Sequence, residues 1–348
     1  MMAFIPNVKL HVKQIDASSP GGQKLINALH SQLVSCKISK WNSPDYSKIG
    51  CALAEAKHLE TLHLSARNRR GSCIWDFLAK TGVSLPPLKE LVLENYAWHR
   101  PPYAALHVWN WTQLVHLKLN SICIFSFLTT VPYKNLVHLR VLHMYDRCRT
   151  NHAQSSKMIC DLLDSIAPLH TLGIACMIEQ PQAKTILSIR RQGPSLKVLV
   201  LIDCKNFWHT DWKFLHAWDM RGINVSCPNL MQLSIDLPIH PDLQTPRPIL
   251  YESAALAHFR NLRTLRICTK CLQDPLETES ETWQLIGVSV RTWLKMLMVA
   301  KQGCAFESIR VMVLVERSKP LGSHRPIRLP LASYTWLAPM RIEAVVKQ

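Results

Sequence analysis

The apolar positions of this chain repeat a short unit: two residues spaced two apart, with a third three residues ahead of them. In "HLETLHLSARN" the unit is Leu59, Leu62 and Leu64. It returns as "LKELVL" (Leu88, Leu91, Leu93), "LVHLKL" (Leu114, Leu117, Leu119), "LRVLHM" (Leu139, Leu142, Met144) and "LHTLGI" (Leu169, Leu172, Ile174). Further copies are "LKVLVL" (Leu196, Leu199, Leu201), "LMQLSI" (Leu230, Leu233, Ile235) and "LRTLRI" (Leu262, Leu265, Ile267). Weaker ones stand at both ends: "IPNVKL" (Ile5, Val8, Leu10), "LVSCKI" (Leu33, Cys36, Ile38) and "FESIRV" (Phe306, Ile309, Val311). Residues two apart share one face of an extended strand, so each copy predicts a strand with its last two apolar residues in a core. Between copies the spacing turns helical, as in 45–58, 156–168, 183–193 and the long 281–303.

The copies follow one another at intervals of 25 to 34 residues, with a last interval of 44, and most of these sit in or near the period of a leucine-rich repeat. A strand-plus-helix unit has an apolar face that it cannot bury alone, and stacking the units buries it. The expected fold is therefore α/β: a curved leucine-rich-repeat solenoid with a parallel sheet on its concave face and helices and irregular segments on its convex face. One solenoid of about ten to eleven irregular repeats is expected over residues 1–348, with 280–348 as C-terminal repeat and cap. A doubly wound sheet also alternates strand and helix. It gives no reason for the same apolar spacing to return, and the chain has no glycine-rich phosphate loop.

From about Ile5 to Val311 the pattern resembles the leucine-rich repeats of the F-box family, in particular the irregular repeats of its fungal members. The Asn or Cys usual three positions after the third apolar residue is present as Cys204, whereas Arg67, Tyr96, Ile122, Arg147, Met177 and Lys270 stand in the other places, which predicts uneven turns. The resemblance implies the substrate-recognition part of a ubiquitin ligase. No F-box is detectable in this chain, and "LPPLKEL" at 85–91 belongs to a repeat strand. A ubiquitin-ligase adaptor is accordingly expected as a partner only if an F-box lies upstream.

Composition narrows the compartment and the partner. Lys and Arg number 41 against 24 Asp and Glu, a net charge of +17 with 16 histidines, which suits acidic proteins, nucleic acid or anionic surfaces. The N-terminus lacks the pattern of a signal peptide, and the most apolar stretch, 285–300, contains Arg291 and Lys295, so no membrane span is expected. Twelve cysteines scattered among apolar neighbours suit buried thiols, and an intracellular, cytoplasmic or nuclear protein is expected.

Catalytic motifs are missing: no P-loop, dinucleotide fingerprint, G-x-S-x-G or H-E-x-x-H is present, so no enzyme and no cofactor is expected. Cys268 and Cys271 in "CTKC" lack a second ligand pair for zinc, and two thiols at a strand end are expected there. Trp109, Trp111, Trp208, Trp212 and Trp218 invite a base-stacking platform, but the helical spacing of Trp208, Trp212 and Leu215 reads as packing.

Binding is expected on the concave face, where the residue between the two core positions of each strand projects. That column runs Lys9, Lys37, His63, Val92, Lys118, His143, Gly173, Val200, Ser234 and Arg266, without a carboxylate. Its flanks include Glu90, Glu94 and Asp236, and around Val141, Tyr145, Thr171, Ala175, Val198 and Ile202 the surface turns small or apolar. The expected partner-binding residues are Lys9, Lys37, His63, Lys118, His143, Tyr145, Val200 and Arg266. The leading expectation is a non-catalytic protein-interaction scaffold whose partner carries an acidic segment. A basic solenoid binding nucleic acid or an anionic surface is the alternative, and an unrecognised enzyme the third. If the concave face is not used, the basic segments around Arg69 and Arg325 come next.

Overall fold

The computed structural model describes residues 9–16, 19–39, 46–66, 82, 84–95, 98, 109–146, 152–175, 182–202, 215–237, 247–273, 279–317 and 340–344. The chain forms two compact units, 1–192 and 193–348. Both are α/β.

In the first unit seven strands follow in chain order: β1 (Leu10–Asp16), β2 (Leu33–Ser39), β3 (Thr61–Ser65), β4 (Glu90–Glu94), β5 (His116–Ile122), β6 (Val141–Asp146) and β7 (Thr171–Ala175). Each pairs in parallel with the next. Parallel neighbours need a crossover, and helices at Pro20–Leu29, Tyr46–Glu55, Ile124–Leu128 and His152–Ser165 fill several of these connections. The first starts where Ser19 caps it: its Oγ accepts the Gly22 N–H at 3.0 Å, and Pro20 takes the first helical position. In Tyr46–Glu55 the residues Ile49, Ala52 and Leu53 form a buried stripe at helical spacing.

The second unit holds β8 (Val198–Leu201), β9 (Gln232–Asp236), β10 (Thr264–Gln273) and β11 (Ser308–Arg317), again parallel and in order. Helices Ala217–Ser226, Arg247–Ala257 and Glu279–Ala300 connect them. The long helix expected over 281–303 is present, with Val290, Trp293, Leu294 and Leu297 buried. A final strand, β12 (Met340–Ala344), pairs antiparallel with β11. It follows no repeat spacing, and the last strand was expected at Val311; cross-strand pairing alone defines it.

The strand leucines are where the repeat spacing puts them. Leu62, Leu64, Leu91, Leu93, Leu117, Leu119, Leu142, Leu172, Leu199 and Leu265 are fully buried, and so are the leading Leu88, Leu114, Leu139, Leu169, Leu196 and Leu262. The leading leucine lies before its strand and carries the chain into the core. The carbonyl of the residue just ahead of each strand accepts two N–H groups from the start of the next: Glu60 O takes Lys89 and Glu90, Lys89 O takes Val115 and His116, Val115 O takes Arg140 and Val141, and Arg140 O takes His170 and Thr171. In the second unit Asn229 and Asn261 each donate a side-chain N–H at 2.9 Å to a backbone carbonyl of the repeat before, Pro194 and Pro228. An asparagine thus ties the repeats together ahead of the strand instead of after it.

Among the described strands the register departs from expectation at the N-terminus. Val12 and Ile15 stand opposite Cys36 and Ile38, with an irregularity between them, and so take the places expected for Val8 and Leu10. The isoleucine is the more deeply buried of the two. Ile5 and Val8 lie outside the described residues, as do Trp208, Trp212 and the basic segments at Arg69 and Arg325. Trp109 and Trp111 are core residues: their rings stack at 4.8 Å, and Trp111 meets Phe127 edge-on. Cys36, Cys160, Cys227 and Cys268 are buried, and burial pushes the Cys36 thiol up to about 12; the Cys271 side chain is outside the described residues. No helix among the described residues is long and apolar enough to cross a membrane.

Candidate functional site

Because side chains alternate along a strand, burying Leu62 and Leu64 turns Thr61, His63 and Ser65 to the opposite, open face of the sheet. Parallel register then carries each position across to its equivalent. From β2 to β7 the central row reads Lys37, His63, Val92, Lys118, His143 and Gly173. One flanking row is Ser35, Thr61, Glu90, His116, Val141 and Thr171; the other, from β3, is Ser65, Glu94, Asn120, Tyr145 and Ala175. Five of the expected binding residues, Lys37, His63, Lys118, His143 and Tyr145, therefore share one sheet face.

Val200 and Arg266 occupy the corresponding row of the second unit, which reads Val200, Ser234, Arg266 and Arg310. Lys9 does not join the row. It precedes β1, is exposed, and is displaced by the register of Val12 and Ile15.

Polar contacts cross the strands of the first unit. His63 Nε2 lies 3.3 Å from Glu94 Oε2, and the other carboxylate oxygen accepts the Asn120 side-chain N–H at 3.0 Å. His116 Nδ1 lies 3.1 Å from Glu90 Oε1. Both glutamates that flank the basic row are thus held by a histidine one strand away. An ionised carboxylate only accepts, so each of these histidines directs an N–H at its glutamate. That leaves His116 Nε2 as an acceptor, and it is buried without a partner among the described residues.

The imidazole of His143 lies across Gly173: a Cβ built on that glycine would fall 2.3 Å from His143 Nδ1. The small, apolar gap expected at Gly173 is in this way filled by a ring. The His143 and His116 ring centroids are 6.2 Å apart.

These surroundings hold all three histidines below their ordinary pKa. For His63 burial acts first and Lys37 next, against the opposing pull of Glu94. For His116 burial again leads, Glu90 opposes it and Lys118 reinforces it. For His143 burial is joined by His116 and Lys118. The imidazoles are consequently neutral at pH near 7, where an unperturbed histidine of pKa about 6.5 is already mostly neutral. The fixed positive charge of the row comes from Lys37 and Lys118, neither of which has an ion-pair partner among the described residues.

His116 and Arg310 are additions to the reading of the sequence, in which the column stops at Arg266 and the named flanks leave out His116. His116 stands two before Lys118 and Arg310 lies between Ile309 and Val311, so the same alternation would have found both. Among the described residues no group of three or more His, Cys, Asp or Glu is placed to hold a metal ion. Comparison with protein-family models and with curated proteins returns no match.

Proposed function

We propose that the chain is a leucine-rich-repeat solenoid acting as a non-catalytic protein-interaction scaffold, similar to the substrate-recognition repeats of F-box proteins, and that the open sheet face of its first unit receives an acidic segment of a partner protein. The observation that carries the reading is the row Lys37, His63, Val92, Lys118, His143 and Gly173. Strands about 4.8 Å apart make this row roughly 24 Å long, enough to follow several residues of an extended segment. Its two lysines have no carboxylate partner among the described residues, while Glu90 and Glu94 are engaged by His116 and His63. Free ammonium groups steer an acidic partner and set its register. A nucleic-acid backbone is less suited to the face, because Val92 and the two glutamates interrupt any run of positive charge.

The test is the double variant Lys37→Glu/Lys118→Glu. Fluorescence anisotropy with a labelled oligoglutamate peptide should show clear binding to the wild-type chain and loss of it in the variant, with the circular dichroism melt unchanged because both side chains face away from the core. Recovery of adaptor and cullin subunits with the wild-type protein would support the link to ubiquitin ligation. A folded double variant that keeps wild-type affinity at low and moderate salt, or tighter binding of an oligonucleotide than of the peptide, would overturn the reading.

A further inference from the structure

A second basic feature lies at the edge of the first unit's sheet, where the strands begin. Lys89, Val115 and Arg140 are the residues immediately ahead of β4, β5 and β6, and the carbonyl forks described above hold them in line. With Thr112 and Gln113 of the short turn at Trp111–Gln113, and His138 of the turn before β6, they line a cavity of about 490 Å³. No carboxylate is among these lining residues. Lys89 is shared with Glu60 at 2.9 Å, and the Lys89 ammonium holds the Glu60 carboxyl below its ordinary range. Arg140 donates only weakly, through Nη1 to the Leu139 carbonyl at 3.4 Å, and has no carboxylate partner among the described residues.

We propose that this cavity binds a phosphate monoester, through a site independent of the open sheet face. The lining supplies an ammonium, a planar guanidinium fork, an imidazole and a carboxamide around one opening, while the Thr112 hydroxyl donates its proton to Asn110 Oδ1. Backbone positions two strands apart are separated by about 10 Å, so Lys89 and Arg140 reach one group from opposite sides, over Val115 between them. A single carboxylate presents two oxygens in a plane and suits one guanidinium. A terminal phosphate presents three, carries up to two charges, and suits a lysine and an arginine converging on it. Val115, about 38% exposed, offers the aliphatic part of the ester a surface to rest on. A phosphodiester backbone fits less well, because the site is one recess with Glu60 at its side and not a continuous stripe.

Two sources share this chemistry, a phosphorylated side chain and a small phosphorylated molecule, and calorimetric titration of the full chain distinguishes them. The probes are O-phosphoserine, inorganic phosphate, and a phosphoserine peptide beside its unphosphorylated form. Saturable binding of O-phosphoserine is expected, weakened roughly tenfold or more by Arg140→Ala, since one charge-assisted contact carries at least that factor. The Lys37→Glu/Lys118→Glu variant should bind it as the wild type does, which separates this site from the open face. A peptide much tighter than O-phosphoserine would identify a protein phosphate as the ligand; equal affinities would identify the small molecule. If Arg140→Ala fails to fold, Lys89→Gln, whose side chain is more than half exposed, serves as the second variant. Absence of saturable binding, wild-type affinity in folded Arg140→Ala or Lys89→Gln, loss of binding in Lys37→Glu/Lys118→Glu, or an oligonucleotide that competes equally well would overturn the proposal.

Discussion

Gly173 offers a test of the open face that reads one contact. It is buried, its φ is ordinary, and the three atoms nearest to an added Cβ all belong to the His143 ring, with Nδ1, Cε1 and Cγ at 2.3, 3.2 and 3.3 Å. In a strand without that ring, Gly→Ala should stabilise by about 0.4–1 kcal/mol, because alanine loses less backbone freedom on folding. With the ring present the added methyl overpacks, at a cost of about 1–3 kcal/mol. The obstacle is the end of a side chain on the solvent side of the sheet, so the ring escapes by changing rotamer and the cost should fall near the lower end. The cycle of Gly173→Ala, His143→Ala and the double variant should then return a coupling of about 2 kcal/mol, with alanine destabilising beside His143 and neutral or stabilising beside Ala. Urea unfolding followed by circular dichroism measures it. A second readout is the imidazole titration by NMR: once displaced, His143 leaves the burial and the neighbouring His116 and Lys118 that hold its pKa down, so its pKa should rise toward the ordinary value. Equal destabilisation in both backgrounds, or an unmoved His143 titration, would refute the placement of the ring over Gly173.

Two other predictions concern the core and pH. Leu117→Asp and Leu199→Asp each place an unpaired charge at a fully buried position, one in each unit, and should cost several kcal/mol; near-normal melting of either variant would exclude that position from the core. His63, His116 and His143 have folded pKa values below their unfolded ones, so the unfolded chain binds more protons and stability rises with pH through that window. Their contribution is present above pH about 6.5 and is lost as pH falls through the unfolded value toward the folded ones, levelling off below these. Unfolding free energies from pH about 8 to about 5 should therefore decline, and replacing His63 and His116 by Gln should flatten the decline. A slope unaffected by that replacement would show that these histidines are not the cause.

The amino-acid pattern by itself determined the strands and their order of burial. A period of two with leucines at L-x-x-L-x-L leaves one choice of inward face, and residues such as Leu91, Leu117 and Leu172 are buried as that choice requires. It likewise determined that Lys37, His63, Lys118 and His143 would align, because register follows once neighbouring strands pair their equivalent leucines. Where the apolar signal weakens the reading slips. Near the N-terminus Val8 and Leu10 competed with Val12 and Ile15, and contact with Cys36 and Ile38 chose the latter pair, removing Lys9 from the row. What only tertiary structure decided is how side chains distant in sequence meet. His63 with Glu94, His116 with Glu90, His143 over Gly173, and Lys89 across a cavity from Arg140 each join residues 26 to 51 positions apart. Their rotamers, burial and charge state depend on neighbours on adjacent strands, and these interactions have no counterpart in local periodicity.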